Sequence, residues 1–171
     1  MPSYDYFADA AGDVDAPIQT VFDFLDDQSN LSSHMSERSW MMLGSTMNIY
    51  MDERRTRSVG SRFGFTGRIL GVPLRVDEIV TSRKPPLQKT WETTDEPTLW
   101  VIGRYEMGLD LSEHEGRARL RVYISYNLPA GWFQRLLGMA FGRTYGRWCT
   151  RKMVRDAQTH FSPSADQTVP A

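Results

Sequence analysis

Apolar and polar positions alternate with a period of two through the middle of this chain, and a helical period replaces it at two places, one short and one long. Residues 5–15 alternate weakly and predict a first strand, closed by Asp15-Ala16-Pro17, a capping residue with a proline placed early in a helix. Ile18, Val21, Phe22 and Leu25 follow at spacings of three, four and seven, which predicts a short amphipathic helix. A second, weaker helical turn is expected within Ser29–Met35, after which Trp40-Met41-Met42-Leu43 reopens apolar sequence. Met47, Ile49 and Met51 alternate as in a half-buried strand that ends at the polar turn Asp52-Glu53-Arg54-Arg55.

Phe63, Phe65, Gly67 and Ile69 share one face of the next strand, with Arg62, Thr66 and Arg68 opposite and Gly71 at the hairpin. Val72, Leu74 and Val76 continue the alternation, and its phase slips at Asp77-Glu78-Ile79-Val80, which predicts a β-bulge there. Arg83-Lys84-Pro85-Pro86 reads as a turn, because proline lacks the ladder donor, and leads into a strand from Leu87 to Thr93. Leu99, Val101, Tyr105, Met107, Leu109 and Leu111 read as one face of a long strand. After the turn Glu113-His114-Glu115-Gly116, the positions Leu120, Val122, Ile124 and Tyr126 make the cleanest alternation in the chain, and Pro129 ends it. A helix of roughly thirty residues is expected from Ala130 to about Phe161.

About seven strands, six of them consecutive and joined by short turns, require antiparallel neighbours. The long helix has no helical partner of its own length, so the apolar face of that sheet must receive it. The pattern therefore predicts one α+β domain over residues 1–161, a sheet with a long C-terminal helix lodged on it. Residues 162–171 hold two prolines and no periodicity and are expected to be a disordered tail.

Composition closes off several functions. A chain of 171 residues, 40% of them hydrophobic, supports a single core. Its formal charge of -1 gives no general attraction to nucleic acid or to an anionic membrane, so a nucleic-acid partner is not expected and a membrane would need a local patch. No apolar run approaches the roughly 20 residues that span a bilayer, so no transmembrane segment is expected. The start Met1-Pro2-Ser3-Tyr4-Asp5 lacks a secretory signal, and a single cysteine, Cys149, excludes an internal disulfide. Both point to a cytoplasmic location. His34, His114 and His160 lie far apart without metal-site spacing, and neither a Gly-x-Ser-x-Gly elbow nor a phosphate loop is present, so no metal and no cofactor is expected.

The closing helix carries the sequence least explained by core packing. Trp132, Phe133, Leu136, Leu137, Met139, Ala140 and Phe141 make its first turns apolar on nearly every side, which is more than one sheet contact uses. Part of that surface is expected to face a cavity or a partner, with Phe133, Leu137 and Phe141 as candidate lining. Gly138, Gly142 and Gly146 recur every fourth residue, and three interior glycines cost a helix roughly 2–3 kcal/mol against alanine. Close backbone approach, to a strand or to a second subunit in a homodimer, would offset that. Arg143, Arg147, Arg151 and Arg155 form a ridge at the same spacing, either a solvated face or a seat for an anionic headgroup or phosphate.

On the sheet, Phe65, Val76, Met107, Leu109, Val122 and Ile124 are the candidate apolar walls of a ligand cavity, with Trp91, Tyr105 and Tyr126 as candidate polar handles. Glu78 lies in phase with Leu74 and Val76 unless the bulge turns it outward. Buried, it would have a raised pKa suited to proton transfer, so Glu78 and Tyr105 are the candidate catalytic groups. The ordinary alternative for each is a satisfied structural polar group.

Asp15-Ala16-Pro17-Ile18-Gln19-Thr20-Val21-Phe22-Asp23-Phe24-Leu25 resembles the strand-to-helix opening of the START-related superfamily, which includes the birch-pollen-allergen type and the polyketide cyclase/dehydrase-like proteins. Pro85-Pro86-Leu87-Gln88-Lys89-Thr90-Trp91-Glu92 resembles that superfamily's proline-led central strand, and the closing helix fits its helix-grip fold. The resemblance runs from Tyr6 to Phe161. It implies a curved antiparallel sheet wrapped around the C-terminal helix, with two short helices after strand 1. Its members include lipid carriers, hormone-binding proteins, aromatases and cyclases, and co-chaperone-like modules, and a fold does not carry an activity with it. The expected function is binding of an apolar or amphipathic, lipid- or polyketide-like small molecule between sheet and helix, without turnover. The alternative is a polyketide cyclase/aromatase-like or dehydrase enzyme using a cavity carboxylate or tyrosine.

Overall fold

The computed structural model describes residues 3–31, 47–69 and 71–162. The apolar stretch Trp40–Leu43, the second helical turn beyond Leu31, His34 and the tail from residue 163 onward lie outside them. In chain order the elements are β1 (Tyr6–Val14), α1 (Ile18–Asp26), α2 (Gln28–Leu31), β2 (Met47–Met51), β3 (Arg62–Ile69), β4 (Val72–Lys84), β5 (Gln88–Thr93), β6 (Tyr105–His114), β7 (Arg117–Tyr126) and α3 (Trp132–Phe161).

The seven strands form one antiparallel sheet in the order β1-β7-β6-β5-β4-β3-β2. Strands β2 to β7 follow one another as a meander, and β1 comes back to pair with β7 from Tyr6 opposite Tyr126 to Val14 opposite Ala118. Two hairpins rest on left-handed backbone, at Gly71 (φ 81°) and at Glu115-Gly116 (φ 51° and 76°), where glycine removes the Cβ conflict.

Two details depart from the sequence reading. The β-bulge falls between Val80 and Ser82, not at Asp77–Val80, so Leu74, Val76, Glu78 and Val80 stay in phase and all four are buried. The apolar Ile79 on the outer face imitates a phase change without causing one. Leu99 and Val101 are not in a strand: residues 94–104, interrupted by Pro97, form an irregular connection, and β6 starts at Tyr105.

Small residues let α3 lie close to the sheet. A Cβ at Gly138 would stand 2.8 Å from the Val101 carbonyl oxygen, one at Gly142 3.0 Å from the same atom, and one at Gly146 3.4 Å from Ala8 Cβ. The glycine row is therefore the side on which α3 meets the 94–104 connection and then β1. Val21, Phe22 and Leu25 of α1 join the same core, where α1 packs on β6 and β7.

A buried ion cluster ties the end of α1 to β4, to β5 and to the β2–β3 loop. Lys89 is fully buried, and its Nζ donates to the Asp26 carbonyl oxygen at 2.6 Å and to Thr56 Oγ1 at 3.1 Å, with Asp26 Oδ1 3.3 Å away. Arg83 Nη2 meets the other Asp26 oxygen at 2.8 Å. Burial alone would raise the Asp26 pKa, but hydrogen bonds and charge from Arg83 and Lys89 outweigh it and hold the carboxyl below its ordinary value. The same burial pulls Lys89 down to about 8 against the opposing pull of Asp26.

Candidate functional site

The site begins with alternation on three neighbouring strands. Strands β4, β5 and β6 turn Glu78, Trp91 and Tyr105 to the same side of the sheet, where each is 6% exposed or less. The Tyr105 hydroxyl donates to Glu78 Oε1 at 2.9 Å, and Glu78 Oε2 has no hydrogen-bond partner among the described residues. These side chains line a cavity of ≈ 30 Å³, walled on the sheet side by Phe65, Val76, Met107 and Ile124 as well. Gln28 of α2, Leu99 and Ile102 of the 94–104 connection, and Tyr145, Cys149 and Met153 of α3 complete it. That volume holds about two water molecules.

Burial raises the Glu78 pKa to about 8, against smaller opposing effects from the hydroxyl of Tyr105 and the indole of Trp91, and the nearby charge of Asp77 adds to the rise. At neutral pH the carboxyl is therefore protonated. Oε1 accepts from Tyr105, and Oε2 is the carboxyl oxygen left without a side-chain or backbone partner among the described residues. Burial, followed by the charge of Glu78, pushes the Tyr105 hydroxyl well above its ordinary value. Burial, again with Glu78, pushes the Cys149 thiol up to about 12, so it stays a poor nucleophile at neutral pH. Among the described residues, no three His, Cys, Asp or Glu side chains stand together as a metal site.

No family model matches the sequence, and no curated protein matches it. Solved structures do. TTHA0849 from Thermus thermophilus overlays with a TM-score of 0.63 at 15% identity, covering 92% of this chain and 100% of that one. Major latex-like protein 151 from Panax ginseng gives 0.60 at 10% identity over 92% and 98% of the two chains. The di-domain ARO/CYC BexL from the BE-7585A biosynthetic pathway gives 0.59 at 16% identity, with 92% of this chain on 50% of that one. The chain has the helix-grip fold. It is the fold of the START and polyketide-cyclase-like proteins, and at these identities the likeness establishes the fold alone.

The helix grip brings together Phe65, Val76, Glu78, Trp91, Tyr105, Met107 and Ile124 of the residues singled out from the sequence. Leu109 and Val122 point to the same side of the sheet but are sealed in the core, away from the cavity. Tyr126 is buried as well, stacked on Tyr6 with ring centroids 5.3 Å apart and standing over Gly142 and Gly146. Phe133, Leu137 and Phe141 do not line the cavity; Phe133 is 51% and Phe141 56% exposed. A stretch apolar on every side does not say which side meets the sheet, and the glycine row settles that against them. The helical residues that do line the cavity, Tyr145, Cys149 and Met153, repeat the same four-residue spacing farther along the helix. Together with Gln28, Leu99 and Ile102 they are what the sequence reading missed. For α3 the missed signal was the register of the last glycine, since Tyr145 and Cys149 flank the buried Gly146.

Proposed function

We propose that this domain binds an amphipathic small molecule, lipid- or polyketide-like in its apolar bulk, whose single hydrogen-bond acceptor meets the Glu78 carboxyl proton. One observation carries the reading: a fully buried carboxyl oxygen with no partner, facing an apolar cavity. Leaving a buried polar group unpaired costs about 1–3 kcal/mol, which a ligand carbonyl, ether or hydroxyl would recover on binding. The ≈ 30 Å³ cavity is far below the roughly 300–1,000 Å³ of a drug-sized ligand site, so loading requires wall side chains to move. Met107 and Met153 are unbranched and adaptable, and Leu99 and Ile102 sit on irregular backbone, so the walls contain the pieces able to give way.

The same carboxyl favours a second reading. With its pKa near 8 and a tyrosine hydroxyl in contact, Glu78 is matched to general acid work near neutral pH, as a cyclase or dehydrase would need. Titrating a fluorescent apolar probe into the unmodified protein and into Glu78→Gln and Tyr105→Phe separates the two. A carrier loses at most one hydrogen bond, so affinity changes by about 0.5–1.5 kcal/mol for a neutral bond. An enzyme keeps its binding and loses about a hundredfold or more in rate. Native mass spectrometry of freshly purified protein gives the direct test. A small molecule that copurifies with the unmodified chain and is depleted in Glu78→Gln is the expected result; no probe binding by any of the three proteins would sink the proposal.

A further inference from the structure

Five large apolar side chains within residues 132–141 face water, namely Trp132 (77% exposed), Phe133 (51%), Leu136 (52%), Met139 (56%) and Phe141 (56%). Core packing leaves them unused, and so does the cavity. Arginines continue along the same strip of α3. At 3.6 residues per turn, Trp132, Leu136, Arg143 and Arg147 fall within about 60° of one another around the helix, with Phe133 and Arg151 beside them. Asp156 is the only acidic residue in α3, and it holds Lys152 at 2.6 Å. Arg143, Arg147, Arg151 and Arg155 make no ion pair among the described residues. Three of them, with Thr144, Trp148 and Lys152, line a shallow surface depression of ≈ 410 Å³.

The overall charge of -1 thus hides a separation, with one helix carrying positive charge that is unpaired among the described residues, next to exposed aromatic rings. We propose that this strip of α3 docks the domain on an anionic phospholipid surface. Trp132, Phe133 and Leu136 enter the boundary between headgroups and acyl chains, and the arginines meet the headgroup phosphates. A lipid surface is the occupant that uses both halves of the strip, about 29 Å long from Trp132 to Arg151. A second copy docked through this same strip would offer the arginines no acidic side chain but Asp156, which already holds Lys152. This reading stands apart from the cavity and holds whether or not Glu78 meets a ligand.

Vesicle flotation of the full chain tests it, with phosphatidylcholine vesicles and with vesicles of phosphatidylcholine and phosphatidylserine, at low and at physiological salt. The protein is expected to float with the anionic vesicles and only weakly with the neutral ones, and to lose binding as salt rises. Arg147→Gln with Arg151→Gln should weaken anionic binding by about fivefold per arginine. Trp132→Ser with Phe133→Ser should weaken binding to both vesicle types. The two pairs act on different halves of the strip, so misfolding of one leaves the other to decide. Absence of flotation, equal flotation with both vesicle types, or flotation unchanged in both pairs overturns the proposal. So does a concentration-dependent dimer, abolished by the Trp132/Phe133 pair, in a protein that does not float; that result assigns the strip to a second copy.

Discussion

Glu78 holds its proton up to about pH 8 in the folded chain, while an ordinary glutamate ionises near 4.5. Between those values the unfolded state binds fewer protons than the folded one, so stability falls as pH rises, by about 1.4 kcal/mol per pH unit, and levels off above the folded value. Glu78→Gln has no proton to lose. Its melting temperature is expected to fall less steeply than that of the unmodified protein between about pH 5 and 8; parallel curves would mean that Glu78 is ionised or solvated in the folded state. A second pair of substitutions probes the buried ion cluster. Asp26→Asn leaves the fully buried Lys89 ammonium without a carboxylate, and a loss of about 3–5 kcal/mol is expected in urea unfolding. Lys89→Met leaves Asp26 paired with Arg83 and should lose less; the reverse order would show that Lys89, not Asp26, is the group the cluster depends on. These residues also mark what a single sequence discloses. Glu78 and Tyr105 were legible because strand alternation alone turns them inward. Lys89 occupies an equally inward position on β5 and went unread, since lysine is so seldom fully buried that its presence argues for the outside face.

Along α3 the glycine row makes the sharper test, because the three sites differ in what a methyl group would meet. Alanine at Gly138 places its Cβ 2.8 Å from a backbone carbonyl that cannot step aside, so destabilisation is expected despite alanine's better helix propensity. At Gly146 the nearest contacts are 3.4–3.5 Å, ordinary packing distance, and the propensity gain of about 0.5–1 kcal/mol should show as a neutral or stabilising change. Thermal melts of the two variants that coincide would remove close approach as the reason for the row. The elements themselves follow from periodicity almost throughout. Where they do not, in residues 94–104, the apolar Leu99 and Val101 supply a strand-like pattern that Pro97 and the crossing helix override.

At the scale of the whole molecule, the chain's first strand pairs with its last, as in Tyr6 opposite Tyr126, and the final helix lies across both. Neither can be held in place until more than a hundred residues between them have been arranged. Refolding on the millisecond-to-second scale is expected in stopped-flow experiments, and a full-amplitude microsecond phase would contradict it. This arrangement was legible from the order and length of the elements, whereas the size of the cavity was not, because a few ångströms in the seating of α3 decide it and no residue pattern records them. The smallness of that space governs time as well as affinity. A molecule larger than two waters finds no vacancy to enter and must wait until the fold exposes one, so its observed association rate should rise with concentration only at first and then level off at the opening rate of the protein itself. Hydrogen exchange at the backbone amides around Ile102 and Cys149 would then report that same rate with no ligand present.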